Sequence, residues 1–259
     1  MDKPTVFYLS LFSGACGGDL AYQHLLGWRC AGYVEIERYC QQVIAQRIKD
    51  GLLDEAPIFS DIRDFIDQGY AESYKGLVDG ITAGFPCQPF SIVGRRKGGK
   101  DKRNMWPATI ECIRIIRPRF AFLENVPGLR SHPYIMQIFG DLAEAGYDAR
   151  WCVLGADDVG APHRRKRLWI LTYLDSQGFE NFTRLTTSQE KNCIRKAASV
   201  GNSQNDYERL IHSRWWEVEP HVVRVVYGVA NGVDRLKALG NGQVPLCAAV
   251  AWKILSGLD

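Results

Sequence analysis

"TVFYLSLFSGACGGDL", residues 5–20, sets a run of branched and aromatic residues directly before a glycine-rich turn, with an amphipathic stretch behind it. The run has the length and composition of a buried strand, and residues 18–26 carry helical spacing. Glycines let the turn reach positive φ and come close to a ligand, and the helix start behind it offers free N–H groups. The spacing is neither the G-x-G-x-x-G of dinucleotide folds nor a phosphate loop closed by Lys-Ser/Thr. A plain tight turn and a ligand-binding turn both fit it.

Working outward, "CAGYVE", "GITAGF", "RFAFLENV", "ARWCVLGA" and "RLWILTYL" repeat the strand composition, and 38–49, 105–116 and 134–145 read as helices between them. Alternation at this spacing predicts an α/β fold: a mostly parallel sheet covered on both faces. Residues 174–236 differ. They are polar and loop-rich, with eight Lys/Arg against eight Asp/Glu. After them, residues 244–255 regain helical spacing, with Pro245 suited to a first turn. The expected organisation is a discontinuous first domain, 1–173 and 237–259, interrupted by a small module at 174–236.

At 259 residues with 46% hydrophobic content, the chain can bury one sizeable core. No apolar run approaches the roughly 20 residues of a membrane span, and no signal-peptide cleavage pattern follows the N-terminus, so the expected location is the cytoplasm. Eight cysteines lie scattered with no CxxC pair and no Cys/His cluster. That spacing predicts no metal site and no disulfide framework. A net charge of +3 does not by itself select nucleic acid.

The residues with chemical potential fall at predicted strand ends. Glu35 ends "YVE", where a carboxylate could take the two hydroxyls of a ribose or simply be solvated. Asp61, in "FSDIRDF", could reach an adenine amino group. Cys87 sits between two prolines in "GFPCQPFS", open to three readings: packed core, metal ligand or nucleophile. "GRRKGGKDKRN" (94–104) follows with six cations and one acid around three glycines. Cations lower a thiol pKa and bind phosphate, so this neighbour favours the nucleophile. Glu124, in "FLENVPGL", is either the acid of a site or an ion-pair partner; burial would raise its pKa and let it donate a proton at neutral pH. Arg165 and Arg167, in "APHRRKRLWIL", alternate about Lys166 and would share one side as a strand begins.

Taken in order, "FSGACGG", "GFPCQPFS", "ENV", "APHRRKR" and "GNGQVP" resemble the motif set of DNA (cytosine-5) methyltransferases of bacterial and phage type, over residues 5–173 and 235–257. The resemblance implies a Rossmann-like, S-adenosylmethionine-dependent methyltransferase fold with a small target-recognition module. It also implies roles. Phe12, Ser13, Gly14, Gly17, Pro86 and Asn241 would line the S-adenosylmethionine pocket, Glu35 would hold the ribose, Ile36 would stack on adenine, and Asp61 and Ile62 would flank that base. Cys87 would be the nucleophile, Glu124 would hold and protonate the target ring, and Arg165 and Arg167 would be the cations on cytosine and its network. Ser91, Arg95, Arg96, Lys97, Lys100 and Arg103 would contact DNA from a loop closing over a flipped base. The implied partner is double-stranded DNA, with a cognate restriction endonuclease in a restriction-modification setting, and with neither metal nor membrane.

The sequence departs from the family pattern in three places. Cys16 stands where the second glycine of F-x-G-x-G-G is usual, His163 where a glutamine is usual, and Lys166 where an acid is common. The recognition region is also short. An RNA cytosine-5 methyltransferase and a catalytically silent DNA-binding relative are the alternatives.

Overall fold

The structure, a computed structural model, describes residues 5–86, 104–174 and 232–257. Seven strands form one sheet: β1 (Phe7–Leu11), β2 (Arg29–Val34), β3 (Ile58–Phe59), β4 (Gly80–Ala83), β5 (Phe120–Asn125), β6 (Tyr147–Leu154) and β7 (Arg167–Leu174). Their spatial order is β3-β2-β1-β4-β5-β7-β6. All neighbouring pairs are parallel except those of β7, which runs antiparallel to both β5 and β6. The mostly parallel sheet expected from the alternating pattern is therefore present.

Side-chain alternation along the strands separates two hydrophobic layers. On β1, Leu9 and Leu11 join one cluster while Tyr8 joins the other; on β5, Ala121 and Leu123 face one layer, Phe120 and Phe122 the opposite one. Every residue of β5 is buried. This is why these strands read as continuous apolar runs rather than as alternating ones.

Helices cover both faces. α1 (Gly17–His24) and α2 (Arg38–Lys49) follow β1 and β2, and α5 (Trp106–Ile116) and α6 (Tyr134–Glu144) flank β5. Two short helices, α3 (Ile62–Asp67) and α4 (Tyr70–Ser73), were not anticipated. The Asp61 side chain caps α3 by accepting from Arg63 N, a local signal readable in "SDIRDF". α7 (Gly232–Asn241) straddles the boundary expected at residue 236. α8 (Pro245–Ser256) packs beside α1 and against β6 and β7. Its Trp252 enters an aromatic group in which the Trp28 and Phe120 centroids lie 4.6 and 4.8 Å away.

The strand order reverses direction between β1, followed by β2 on one side, and β4 on the other. In open α/β sheets the crevice beyond the carboxyl ends of such strands is where ligands bind. Phe12 to Cys16 leave β1 there, and Gly84 to Pro86 leave β4. Among the described residues no helix is long and apolar enough to cross a membrane, and no group of three or more His, Cys, Asp or Glu is arranged to hold a metal.

Candidate active site

The crevice contains two adjoining cavities, each of about 270 Å³, that share Phe12, Ile36, Glu37 and Pro86 in their walls. The first reaches the carboxyl ends of β1, β4 and β5 and the segment joining α7 to α8. The second extends to Asp61 and Ile62.

The glycine turn is built from left-handed backbone. Phe12, Gly14 and Cys16 have φ of 54°, 56° and 57°. Cys16 therefore adopts the conformation that a glycine would take freely, and its thiol is fully buried. Arg47 of α2 donates to the carbonyl of Ala15, bracing the turn from outside. Inside, Glu35 closes it: Oε2 accepts from Gly14 N at 2.6 Å and Oε1 from Glu37 N at 2.7 Å. Burial pushes the Glu35 carboxyl above its ordinary pKa, and those two backbone donors oppose the shift. Ile36, just beyond, is 57% exposed into the crevice, an apolar surface held open at a strand end.

Asp61 is occupied by its own neighbour: Arg63 Nη2 lies 2.7 Å from Oδ2, which holds the carboxyl below its usual range. Ile62 is buried in the wall beside it.

Opposite stands the end of β5. Glu124 is buried, and its Oε1 lies 2.8 Å from Arg167 Nε; the two side chains are 10% and 21% exposed. Burial raises the Glu124 pKa, against the pull of Arg167, Arg165 and a hydrogen bond from Gln243. Next to it, Asn125 Nδ2 donates to the carbonyl of Phe85 at 3.0 Å, and its Oδ1 accepts from Val126 N. The exit of β4 is thus pinned to the exit of β5 two residues before Cys87.

Arg165 and Arg167 do not act alike. Arg167 pairs with Glu124, whereas Arg165 Nη2 reaches the carbonyls of Gly240 and Gly242 at 2.7 and 2.6 Å. Its Nε is buried without a hydrogen-bond partner among the described residues. The alternation about Lys166 places both near Glu124, but the longer reach of Arg165 is taken by backbone 75 residues away. Asn241 is exposed at the cavity rim, where Lys237 and Glu37 form an ion pair at 2.6 Å.

Asp19, Tyr22 and Gln243 are among the crevice residues that had no role in the sequence reading. Asp19 is a buried carboxyl that accepts from Tyr8 Oη at 3.0 Å, and burial raises its pKa. An acid in the first turn of an apolar helix was the available signal. Cys87, the cation-rich loop with Ser91, Arg95, Arg96, Lys97, Lys100 and Arg103, and residues 175–231 of the later module lie outside the described residues.

The pattern of C-5 cytosine-specific DNA methylases matches residues 7–225 of the chain. The chain belongs to that family. Within it, "Type II methyltransferase M.DsaV" of Dactylococcopsis salina is 29% identical over 84% of this chain and 59% of its own length. "Type II methyltransferase M.HpaII" of Haemophilus parainfluenzae is 30% identical over 68% and 48%. The chain thus spans about half the length of the curated relatives it matches. Among solved structures, a DNMT2 variant of Spodoptera frugiperda superposes with a TM-score of 0.54 at 21% identity, over 66% of this chain and 51% of that one. The methyltransferase EhMeth of Entamoeba histolytica gives 0.54 at 19%, over 67% and 54%. At these identities the likeness is one of fold, and the fold is the Rossmann-like one of methyltransferases.

Proposed function

We propose that the chain is a DNA (cytosine-5) methyltransferase that uses S-adenosylmethionine and forms a covalent adduct with its target base through Cys87. The observation that carries this reading is the shared crevice: the Glu124–Arg167 pair faces the same cavity as the glycine turn and Glu35.

The residues present fit the cofactor. Phe12, Ser13, Gly14 and Glu35 line one cavity, Asp61 and Ile62 the next, and Ile36 stands between them as an apolar platform. Glu35 would accept from ribose hydroxyls through lone pairs that its two backbone donors leave free, and Asp61 would turn from Arg63 toward an adenine amino group. Pro86 and Asn241 would close the methionine side. When bound, S-adenosylmethionine supplies a methyl group activated on a sulfonium.

The rest belongs to the chain. Carbon 5 of cytosine is a weak nucleophile, and addition of the Cys87 thiolate at carbon 6 makes it a strong one. Glu124, whose burial favours its protonated form, would donate to ring nitrogen 3 as that addition proceeds. Arg167 holds this carboxyl in place and would neutralise it once the proton has left. Once carbon 5 carries the methyl group, loss of its proton to a base or water would expel the Cys87 thiolate from carbon 6, and ring nitrogen 3 would return its proton to Glu124, which restores the ring. Asn125 would fix the backbone that carries Cys87. Arg165 would brace the segment joining α7 and α8 rather than touch the base.

The base must leave the duplex for this chemistry, with the cationic loop at 94–104 on the DNA backbone. Residues 174–236 would read a short sequence in the grooves. A bacterial or phage-infected cytoplasm, with a cognate restriction endonuclease, is the setting this implies. The test is bisulfite sequencing of DNA from cells expressing the chain, with labelled methyl transfer compared on duplex DNA and tRNA. Protected cytosines in one short context on DNA are expected; transfer to tRNA alone, or to neither, would overturn the reading.

A further inference from the structure

The turn between α7 and α8 enters the site at Gln243, a contact separated from the rest of the site by most of the chain. Gln243 Oε1 accepts from the buried Tyr22 hydroxyl at 3.1 Å, 221 residues away. With the amide oxygen facing Tyr22, its nitrogen lies on the Glu124 side, beside Gly84 together with Glu124 Oε2, and it favours the ionised Glu124 carboxyl. A carboxylate can only accept, so the amide N–H is the donor. Three glycines make room for this residue. A Cβ at Gly17 would collide with the backbone carbonyl of Gln243, and one at Gly18 with its amide oxygen. A Cβ at Gly84 would stand 3.1 Å from its Nε2 and 3.2 Å from Glu124 Oε2. Arg165 grips Gly240 and Gly242 just before it.

We propose that Gln243 is a positioning residue for Glu124: its amide, oriented by Tyr22, holds the second carboxyl oxygen while Arg167 holds the first. This rests on the proposed role of Glu124 as the acid of the site. Among the described residues, the titratable or charged groups that face Glu124 are Arg167 and Arg165 from β7 and the segment before it, and Tyr22 from α1. A neutral donor among these favours the ionised carboxyl without adding charge, so it tunes proton affinity while fixing the group's direction.

The test is a titration of the Glu124 side-chain carboxyl by carbon-13 NMR, with the signal assigned through Glu124→Gln, in the full chain and in Gln243→Met and Tyr22→Phe. Gln243→Met removes the donor while keeping the volume, and should raise the Glu124 pKa by about one to two units, the size of a hydrogen bond to an ionised group. Tyr22→Phe frees the amide to turn and should raise it less. The high-pH limb of methyl transfer should move upward by the same amounts. If Gln243→Met does not fold, Tyr22→Phe decides alone. An unchanged Glu124 titration in the folded variants overturns the inference, even where methyl transfer is weakened. A shifted titration in a chain that transfers no methyl group supports it and overturns the proposed function instead.

Discussion

Arg167 Nε and Glu124 Oε1 lie 2.8 Å apart across neighbouring antiparallel strands, at the edge of the crevice where β5 ends and β7 begins. Even so paired, Glu124 titrates above its ordinary value of 4.5, because burial outweighs the cations. The folded state therefore binds a proton more readily than the unfolded one. The stability this contributes is full below pH 4.5 and falls as pH rises toward the folded-state pKa. Arg167→Met should raise that pKa further and destabilise the fold by about 3 kcal/mol at pH 8, much less at pH 5. Urea midpoints at the two pH values check this; Glu124→Gln should remove most of the difference between them.

Glu35, just past β2, accepts one short hydrogen bond from Gly14 of the glycine turn and a second from Glu37 N in its own segment. Glu35→Ala should cost about 1–2 kcal/mol of stability. It should also weaken S-adenosylmethionine binding at least tenfold, roughly one hydrogen bond to a charged group. The wild-type carboxyl must be ionised to accept from two hydroxyls, so affinity should fall as pH drops through its raised pKa. Calorimetric titration between pH 5 and 8 reads both effects.

Gly17 and Gly18 differ in what they face. At Gly17 an added methyl meets the backbone of Gln243, which cannot turn aside; at Gly18 it meets the amide end of a rotatable side chain. Gly17→Ala should lose more than about 2 kcal/mol, as overpacking against backbone does. Gly18→Ala should lose less. Chemical denaturation of the two variants checks the order.

The fold was legible because its central strands are buried on both faces and so announce themselves as apolar runs. The direction of β7 was not, since composition is the same for either direction. Glu35, Glu124 and Ile36 were legible as a class, the residues at or just past strand ends. Tyr22 and Gln243 were not, because nothing local marks a contact that spans 221 positions. "GNGQVP" drew attention to Asn241, yet the side chain that reaches Glu124 comes two residues later. For Arg165, strand alternation gives the side it shares with Arg167, but not its hydrogen bonds to the carbonyls of Gly240 and Gly242.

Cys16 stands in the left-handed region, where a side chain costs roughly 1–2 kcal/mol. Its burial recovers part of that, and Asp19 beside it helps hold the thiol protonated. Cys16→Gly should leave stability within about 1 kcal/mol of wild type, as lost contacts and chain entropy offset the relieved strain. Cys16→Val should destabilise by more than about 2 kcal/mol, because branching at Cβ worsens the same conformation. Thermal unfolding of the pair separates a strained turn from an indifferent one.

The six described cysteines are buried or half-buried, and burial raises the pKa of each. Burial thus favours the neutral thiol in each of them at neutral pH. The measurement that bears most directly on the proposed chemistry is a covalent trap: the full chain incubated with S-adenosylmethionine and a duplex containing 5-fluorocytosine at its target site, followed by peptide mass spectrometry. The account predicts an adduct on the peptide containing Cys87, lost in Cys87→Ser. Cofactor binding without any adduct, or an adduct that survives that substitution, would contradict it.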